Sequence, residues 1–327
     1  MKQIAEKGVI MSADNSSGRV TEKRGRSFFV NLSVRLIKEK PLGAIAGGVT
    51  LLLFLVAIFA GSIAPYGMNE TRVAPTFGPP SADHILGGDQ LGRDLFSRVI
   101  YGARISVTVG LGATVISIIT SLIVGGLSGY IGGKLDLMVQ RFVDALQCFP
   151  SIVVLILLMS LVGPGLWTAL IVLGLHRGIS GSRVIRSAVI SEKERLHVRA
   201  AAAIGCSYIR IYIRHIVPNI MAIVLVLMAT RVPSLVLAEA SLSFLGFGVP
   251  PPFPSWGGML SGTARDYVLM APHLAIWPGV ALSILVFSAN MFGDALRDLL
   301  DPRLRGGVGR YGTKVKKDKK GDIVIVK

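Results

Sequence analysis

The sequence predicts an all-α, polytopic membrane protein with six transmembrane helices, and three features support this. Hydrophobic residues fill 51% of the 327 positions and charged residues only 17%, with a mean hydropathy of +0.61. That mixture lies outside the range of water-soluble globules. Apolar stretches recur at the roughly 20-residue length that a helix needs to cross the hydrocarbon. The third feature is where the positive charge falls. Lys and Arg number 35 against 19 Asp and Glu, a net of +16, and 27 of the 35 lie in residues 1–40, 177–214 and 297–327. In a soluble chain such a balance would suggest nucleic acid. Here apolar stretches separate the blocks, so the charge follows the positive-inside pattern of cytoplasmic segments and nucleic acid is not expected as a partner.

Taken in order, residues 1–40 form a basic segment expected in the cytoplasm. The first span, 41–64, is longer than the roughly 7–15-residue core of a signal peptide, so it reads as a retained anchor despite Ala60, Gly61 and Ser62 near its end. Residues 65–103 are expected outside the membrane. They carry Arg72, Arg93 and Arg98 against Glu70, Asp83, Asp89 and Asp94, and Pro75, Pro79 and Pro80 exclude a regular helix through the middle. The remaining core, 104–300, supplies five spans, at 105–130, 142–163, 166–178, 219–245 and 274–295. The fourth is the weakest, because His176 and Arg177 interrupt it early; it either continues into the basic segment or crosses obliquely. Six crossings return the basic tail, 301–327, to the side of the N terminus. The tail is polar and Gly-containing, and is expected to be disordered or to lie near anionic lipid.

Small residues recur at a spacing of four: Gly43 and Gly47; Gly125, Gly129 and Gly133; Gly174 and Gly178. In lipid this spacing lets helix backbones approach closely, either in fixed packing or along a moving seam.

Enzymatic signatures are missing. GGKL at 132–135 is the nearest approach to a phosphate-cradling loop, and it lacks both the leading Gly and the hydroxyl residue. The five histidines form no HExxH, no GxSxG occurs, and Cys148 and Cys206 suggest neither a disulfide framework nor a metal site. No pore filter or nucleophile–base pair supports a channel or an intramembrane enzyme. A transporter of this composition takes its energy from a partner or an ion gradient, and the latter calls for ionisable groups within the membrane. Arg231 and Glu239 are such groups, around Pro233. Eight helical residues rotate about 80° and rise about 12 Å, which disfavours their pairing. Each is expected to meet another helix or, together with Ser241, to line a translocation pathway. Arg141 and Asp144, three apart, read as a surface ion pair.

The segment at about 192–218 is built to be ordered in the cytoplasm. The alanines after Leu196 favour a helix, Gly205 stops it, and Ser207 offers a hydroxyl cap for a second helix. In that second helix Ile209, Ile213 and Ile216 share one face, with Arg210 and Arg214 beside them, a pattern suited to the membrane surface. Pro218 permits a fresh helix start. Ala200 and Ala201 are expected to be exposed, leaving the backbone bare enough for another protein's cleft.

This segment resembles the cytoplasmic loop signature of ABC-importer permeases, a Glu-Ala-Ala followed by a Gly four residues later and a downstream Pro. The matching positions are Arg199, Ala200, Ala201, Gly205 and Pro218, with Arg199 standing where Glu is usual. RIYIRHIVPN continues the form seen in the dipeptide, oligopeptide and nickel branch. Residues 84–110 are similar to the external segment and second-helix start of one permease of that branch, with Gly88 in place of the usual Thr. EASLSFLGFGVPPPFPSWGGML and NMFGDALRDLLDPRLR extend the match.

The resemblance implies a heterodimer with a second permease, two ATP-binding subunits that carry ATP and Mg, and an extracytoplasmic solute-binding protein, in a bacterial or archaeal inner membrane with both termini cytoplasmic. It assigns this chain no cofactor, metal or catalytic residue. Peptides are the expected cargo, with nickel or glutathione-like solutes as alternatives. The coupling element would comprise Arg199, Ala200, Ala201, Gly205, Ser207, Arg210, Arg214 and Pro218. The external stretch with Asp89, Gly92, Arg93 and Asp94 would contact the binding protein, contact the sister permease, or fold the loop.

Overall fold

A computed structural model of the chain describes residues 28–300, 314–317 and 323–326. Helix α1 (Phe28–Glu39) leads into α2 (Pro41–Ile58), where Pro41 sits in the first turn and sacrifices no helical hydrogen bond. A break at Phe59 separates α2 from the short α3 (Ala60–Ile63).

The next helix is longer than the sequence suggests. It begins at Leu95, ten residues before the expected start, because Asp94 caps it by accepting from the Ser97 amide at 2.8 Å. From α4 (Leu95–Ser121) it passes through a π-helical segment (Leu122–Leu127) into α5 (Ser128–Ile131), 37 residues in all. The third predicted span is a bent pair, with α6 (Gly133–Gln147) and α7 (Ser151–Val162) meeting at 92° where Pro150 interrupts the chain. The fourth, α8 (Leu166–Ser180), runs past His176 and Arg177 and continues after Gly181 as α9 (Ser182–Lys193), the first of the two alternatives left by the sequence.

Then come α10 (Leu196–Ala203), α11 (Tyr208–Ile211), a second π-helical segment (Tyr212–Ile216), α12 (Met221–Phe244), the short α13 (Trp256–Leu260) and α14 (Thr263–Asp266), and α15 (His273–Leu300). Among the described residues α2, the α4–α5 unit, α12 and α15 are each long and apolar enough to cross a bilayer; the bent pair can form a further crossing, and α8 is a shorter apolar helix. In the tail β1 (Lys314–Lys317) pairs antiparallel with β2 (Ile323–Val326), with Lys314 opposite Val326. The polar composition of the tail predicts no regular structure there, but the β-branched run of β2 favours a strand.

The helices pack around α4 and α12, which run antiparallel to each other, while α8 lies parallel to α4, with Leu170 beside Gly112, Gly174 beside Ile116 and Gly178 beside Thr120. Lys40 bonds Asp298 at 2.7 Å at one end of α2 and α15, while Arg104 reaches the Ile58 carbonyl near the other. Most of the glycine spacing serves packing within the chain. A Cβ on Gly43 would stand 2.2 Å from the Ala295 Cβ, one on Gly125 2.1 Å from the Ser182 carbonyl, and one on Gly178 2.5 Å from the Thr120 Cβ. Gly133 differs: it has φ +63° and open space beside it, and it turns the chain into α6.

Candidate functional site

At the end of the bundle that carries α10, buried Ile185, Val189, Val198, Ala201, Ile211, Tyr212 and Ile216 form a separate apolar core beneath the coupling segment. The α10 helix ends as the sequence requires. Gly205 has φ +83°, its amide donates to the Ala202 carbonyl at 3.0 Å, and the Cys206 amide donates to Ala201 at 3.1 Å, the two bonds of a Schellman motif. What α10 presents is Leu196 and Ile204, 85% and 80% exposed, together with Arg199 and Ala200.

Three expectations about this segment are corrected. Ala201 is only 5% exposed and packs inward, because it lies one helical step from Ala200 on a helix whose other side covers the core. Ser207 occupies the cap position of α11 but its side chain makes no capping bond. Ile209, Ile213 and Ile216 do not share a face: the first two are exposed and Ile216 is buried, because the π turn inserts an extra residue and rotates every side chain after it. Arg210 and Arg214 remain exposed, and Pro218 lies in a turn three residues before α12 begins.

The charge at Arg199 is met within the chain. Its guanidinium pairs with Glu194 across exposed surface and holds that carboxyl below its usual range. Glu192 takes Arg195 at 3.1 Å and His197 at 3.3 Å, and Lys193 donates to the Tyr130 carbonyl at 2.7 Å, tying the start of the segment to α5. Farther along, the Tyr212 hydroxyl donates to the Leu122 carbonyl at 2.7 Å, and burial pushes that phenol up to about 12.

Arg231 and Glu239 each find separate partners on α4, as their spacing implies. On a translocon scale either group costs about 2.5–3.5 kcal/mol at a helix centre, so neither persists without partners. Arg231 donates to the Ser117 and Ser121 hydroxyls at 2.7 and 3.0 Å and to the Gly181 carbonyl at 3.3 Å. Glu239 has no exposed surface; it accepts from Ser106 at 3.2 Å and Ser243 at 2.6 Å. Those same hydroxyls accept from the Trp256 and Val249 amides, so the carboxyl tethers the 246–260 loop to the bundle. Half-buried Ser241 donates to the Leu237 carbonyl within its own helix.

At the end opposite α10, Asp89, Gly92, Arg93 and Asp94 fold the loop. Asp89 accepts from the Leu91 and Arg93 amides, both at 2.9 Å, and from Arg93 Nε at 2.6 Å. Gly92 has φ +66°, and a Cβ there would meet the Ala74 carbonyl at 2.7 Å. Asp94 caps α4 and contacts His84 Nδ1 at 3.2 Å. Beside them a cavity of about 370 Å³ is walled by Gln90, Arg93, Arg98, Pro164 and Phe253.

Sequence reasoning misses Ser106, Ser117, Ser121, Ser243, Glu194 and Tyr212. Ser243 stands four residues after Glu239 on one helix, a spacing that could have marked it, whereas the others have partners on a different element or outside helical spacing, so no local pattern marks them. Arg141 and Asp144 do pair, at 3.6 Å, and Arg183 joins them from α9.

Residues 117–306 match the family model described as binding-protein-dependent transport system inner membrane component. The chain is 33% identical over 303 residues to a dipeptide transport system permease protein of Bacillus subtilis (strain 168), covering 93% of this chain and 95% of that one. It is 36% identical over 294 residues to an oligopeptide transport system permease protein of the same organism, covering 90% and 96%. To a glutathione transport system permease protein of Escherichia coli O6:K15:H31 (strain 536 / UPEC) it is 36% identical over 273 residues, covering 83% and 90%.

Proposed function

This chain belongs to the family of binding-protein-dependent transport system inner membrane components, and on that premise we propose that it is one of two permease subunits of an ATP-driven importer of peptides. Two ATP-binding subunits supply the energy, with ATP and Mg bound on them, and an extracytoplasmic binding protein delivers the cargo. Similarity to dipeptide and oligopeptide permeases supports the cargo class. Similarity to a glutathione permease supports a second reading, a γ-linked peptide, within the same chemistry.

The observation that carries the proposal is the exposed face of α10. Leu196, Arg199, Ala200 and Ile204 stand out beside exposed Tyr208, Ile209 and Ile213, and apolar side chains left so open mark a surface that a protein covers. When the ATPases close on ATP, force on α10 passes through Val198 and Ala201 into the core beneath it, and through Tyr212 into the α4–α5 unit. The six crossings then tilt as a unit, with α10 and both termini on the cytoplasmic side. Asp89, Gly92, Arg93 and Asp94 hold the shape of the outer loop that faces the binding protein, and the translocation pathway runs beside α12.

Reconstitution of the complete transporter tests this. Uptake of a labelled dipeptide that requires ATP, the binding protein and all four membrane-associated subunits is expected. Passive flux through this chain alone would overturn it.

A further inference from the structure

We propose that the cavity between the α6–α7 joint, the last turns of α8 and the middle of α12 binds a carboxylate, and that it receives the C-terminal carboxylate of the cargo on its way through. The identity of the cargo rests on the importer reading above, whereas the chemistry rests on the cavity alone. Its volume is about 400 Å³, and Gln147, His176, Arg177, Ser180, Thr230 and Arg231 are among the polar residues of its wall. Ligand sites typically occupy roughly 300–1,000 Å³, so a small peptide fits where a lone ion would be loosely held.

Electrostatics selects the ligand. No lining residue is acidic. Arg231 is 4% exposed and all of its partners are neutral, two hydroxyls and a carbonyl. Arg177 lines the cavity from an exposed position and makes no ion pair among the described residues. His176 Nε2 is enclosed and has no hydrogen-bond partner among them. Asp144, one turn before Gln147, is the near acid in the chain, and Arg141 and Arg183 already engage it. Two guanidinium groups beside an unsatisfied imidazole therefore share one space with no counterion. Arg231 is buried with neutral hydrogen-bond partners and no countercharge, which favours an anion beside it, and the planar fork of a guanidinium matches a carboxylate in two parallel bonds. The geometry of the wall is fixed from both sides. Gln147 Nε2 donates to the Ser180 carbonyl at 3.1 Å, and Gly181 leaves the room that Arg231 fills, since a Cβ there would stand 2.2 Å from Nη2.

The test compares a labelled dipeptide with its C-terminal amide in proteoliposomes holding the complete transporter. Arg177→Gln is expected to lower the ratio of acid to amide uptake about tenfold, the scale of one charged hydrogen-bonded contact. An unchanged ratio would overturn the proposal. A second measurement needs no transport. In the complex with Cys148→Ser and Cys206→Ser, Ser180→Cys is labelled with a maleimide in the presence of an N-acetyl dipeptide or of its amide. Slower labelling with the acid alone supports the site. Equal or absent protection, or protection only by added anionic lipid, overturns it. Should the wild-type complex take up no peptide of either kind, the importer reading loses its cargo, while the labelling still decides the cavity.

Discussion

Tyr212 and Leu122 lie 90 positions apart, each in a π-helical segment, and the hydroxyl of one donates to the carbonyl of the other at 2.7 Å. Gly126, in the same turn as Leu122, makes room for the ring: a Cβ there would stand 2.0 Å from the hydroxyl oxygen. The coupling segment is thereby locked to the end of the α4–α5 unit. Tyr212→Phe removes one buried bond and leaves a carbonyl short of its donor, at about 1 kcal/mol. Uptake should fall more than ATP hydrolysis in this variant, seen as a lower ratio of peptide transported to ATP consumed. Gly126→Ala should do the same and also lower Tm.

The same phenol gives a pH dependence. Its folded-state value, about 12, lies above the ordinary 10. The folded protein thus holds the proton more tightly than the unfolded chain. This contribution is complete below about pH 10 and is lost as pH rises through about 12. The difference absorbance between wild type and Tyr212→Phe should show phenolate appearing near pH 12; a midpoint near 10 would mean that the ring is solvated.

Gly205 sits at φ +83° with open space around its missing Cβ. Substitution there costs backbone strain rather than a clash, about 1–2 kcal/mol for a β-branched residue. Gly205→Val should abolish uptake while the permease still reaches the membrane. Gly205→Asn, which tolerates that conformation, should retain most of it. Equal loss in both variants would point to steric exclusion by the ATPase instead.

Glu239 connects α12 to the 246–260 loop through Ser106 and Ser243. Glu239→Ala leaves both hydroxyls without their acceptor and opens a cavity, a loss of about 1–3 kcal/mol. Limited proteolysis within 246–260 should accelerate in this variant. Glu239→Gln keeps the shape and one acceptor, and should cleave at close to the wild-type rate.

Gly43 lies against Ala295 so closely that a Cβ would stand 2.2 Å from its methyl. Gly43→Leu should part α2 from α15 and lower the thermal midpoint of the detergent-solubilised protein, whereas Gly48→Leu, with nothing within 4 Å of its Cβ, should not.

Hydropathy and charge placement determined the membrane class and pointed to the sidedness to be tested, because the cost of burying polar groups in lipid acts on each segment independently of its neighbours. The Gly205 stop was equally legible, since left-handed backbone is a property of one residue. The phase of the segment after Tyr208 was not: a π turn shifts every later side chain, and only packing against Leu122 and Gly126 decides where that turn falls. The same holds for Ala201 turning inward, for Glu194 meeting Arg199, and for the serines that satisfy Arg231 and Glu239. The sequence declared that two buried charges needed partners. Which neutral hydroxyls would supply them, and which cationic wall would be left without an anion, was decided by the packing of α12 against α4 and α8, where residues over a hundred positions apart come within hydrogen-bond reach.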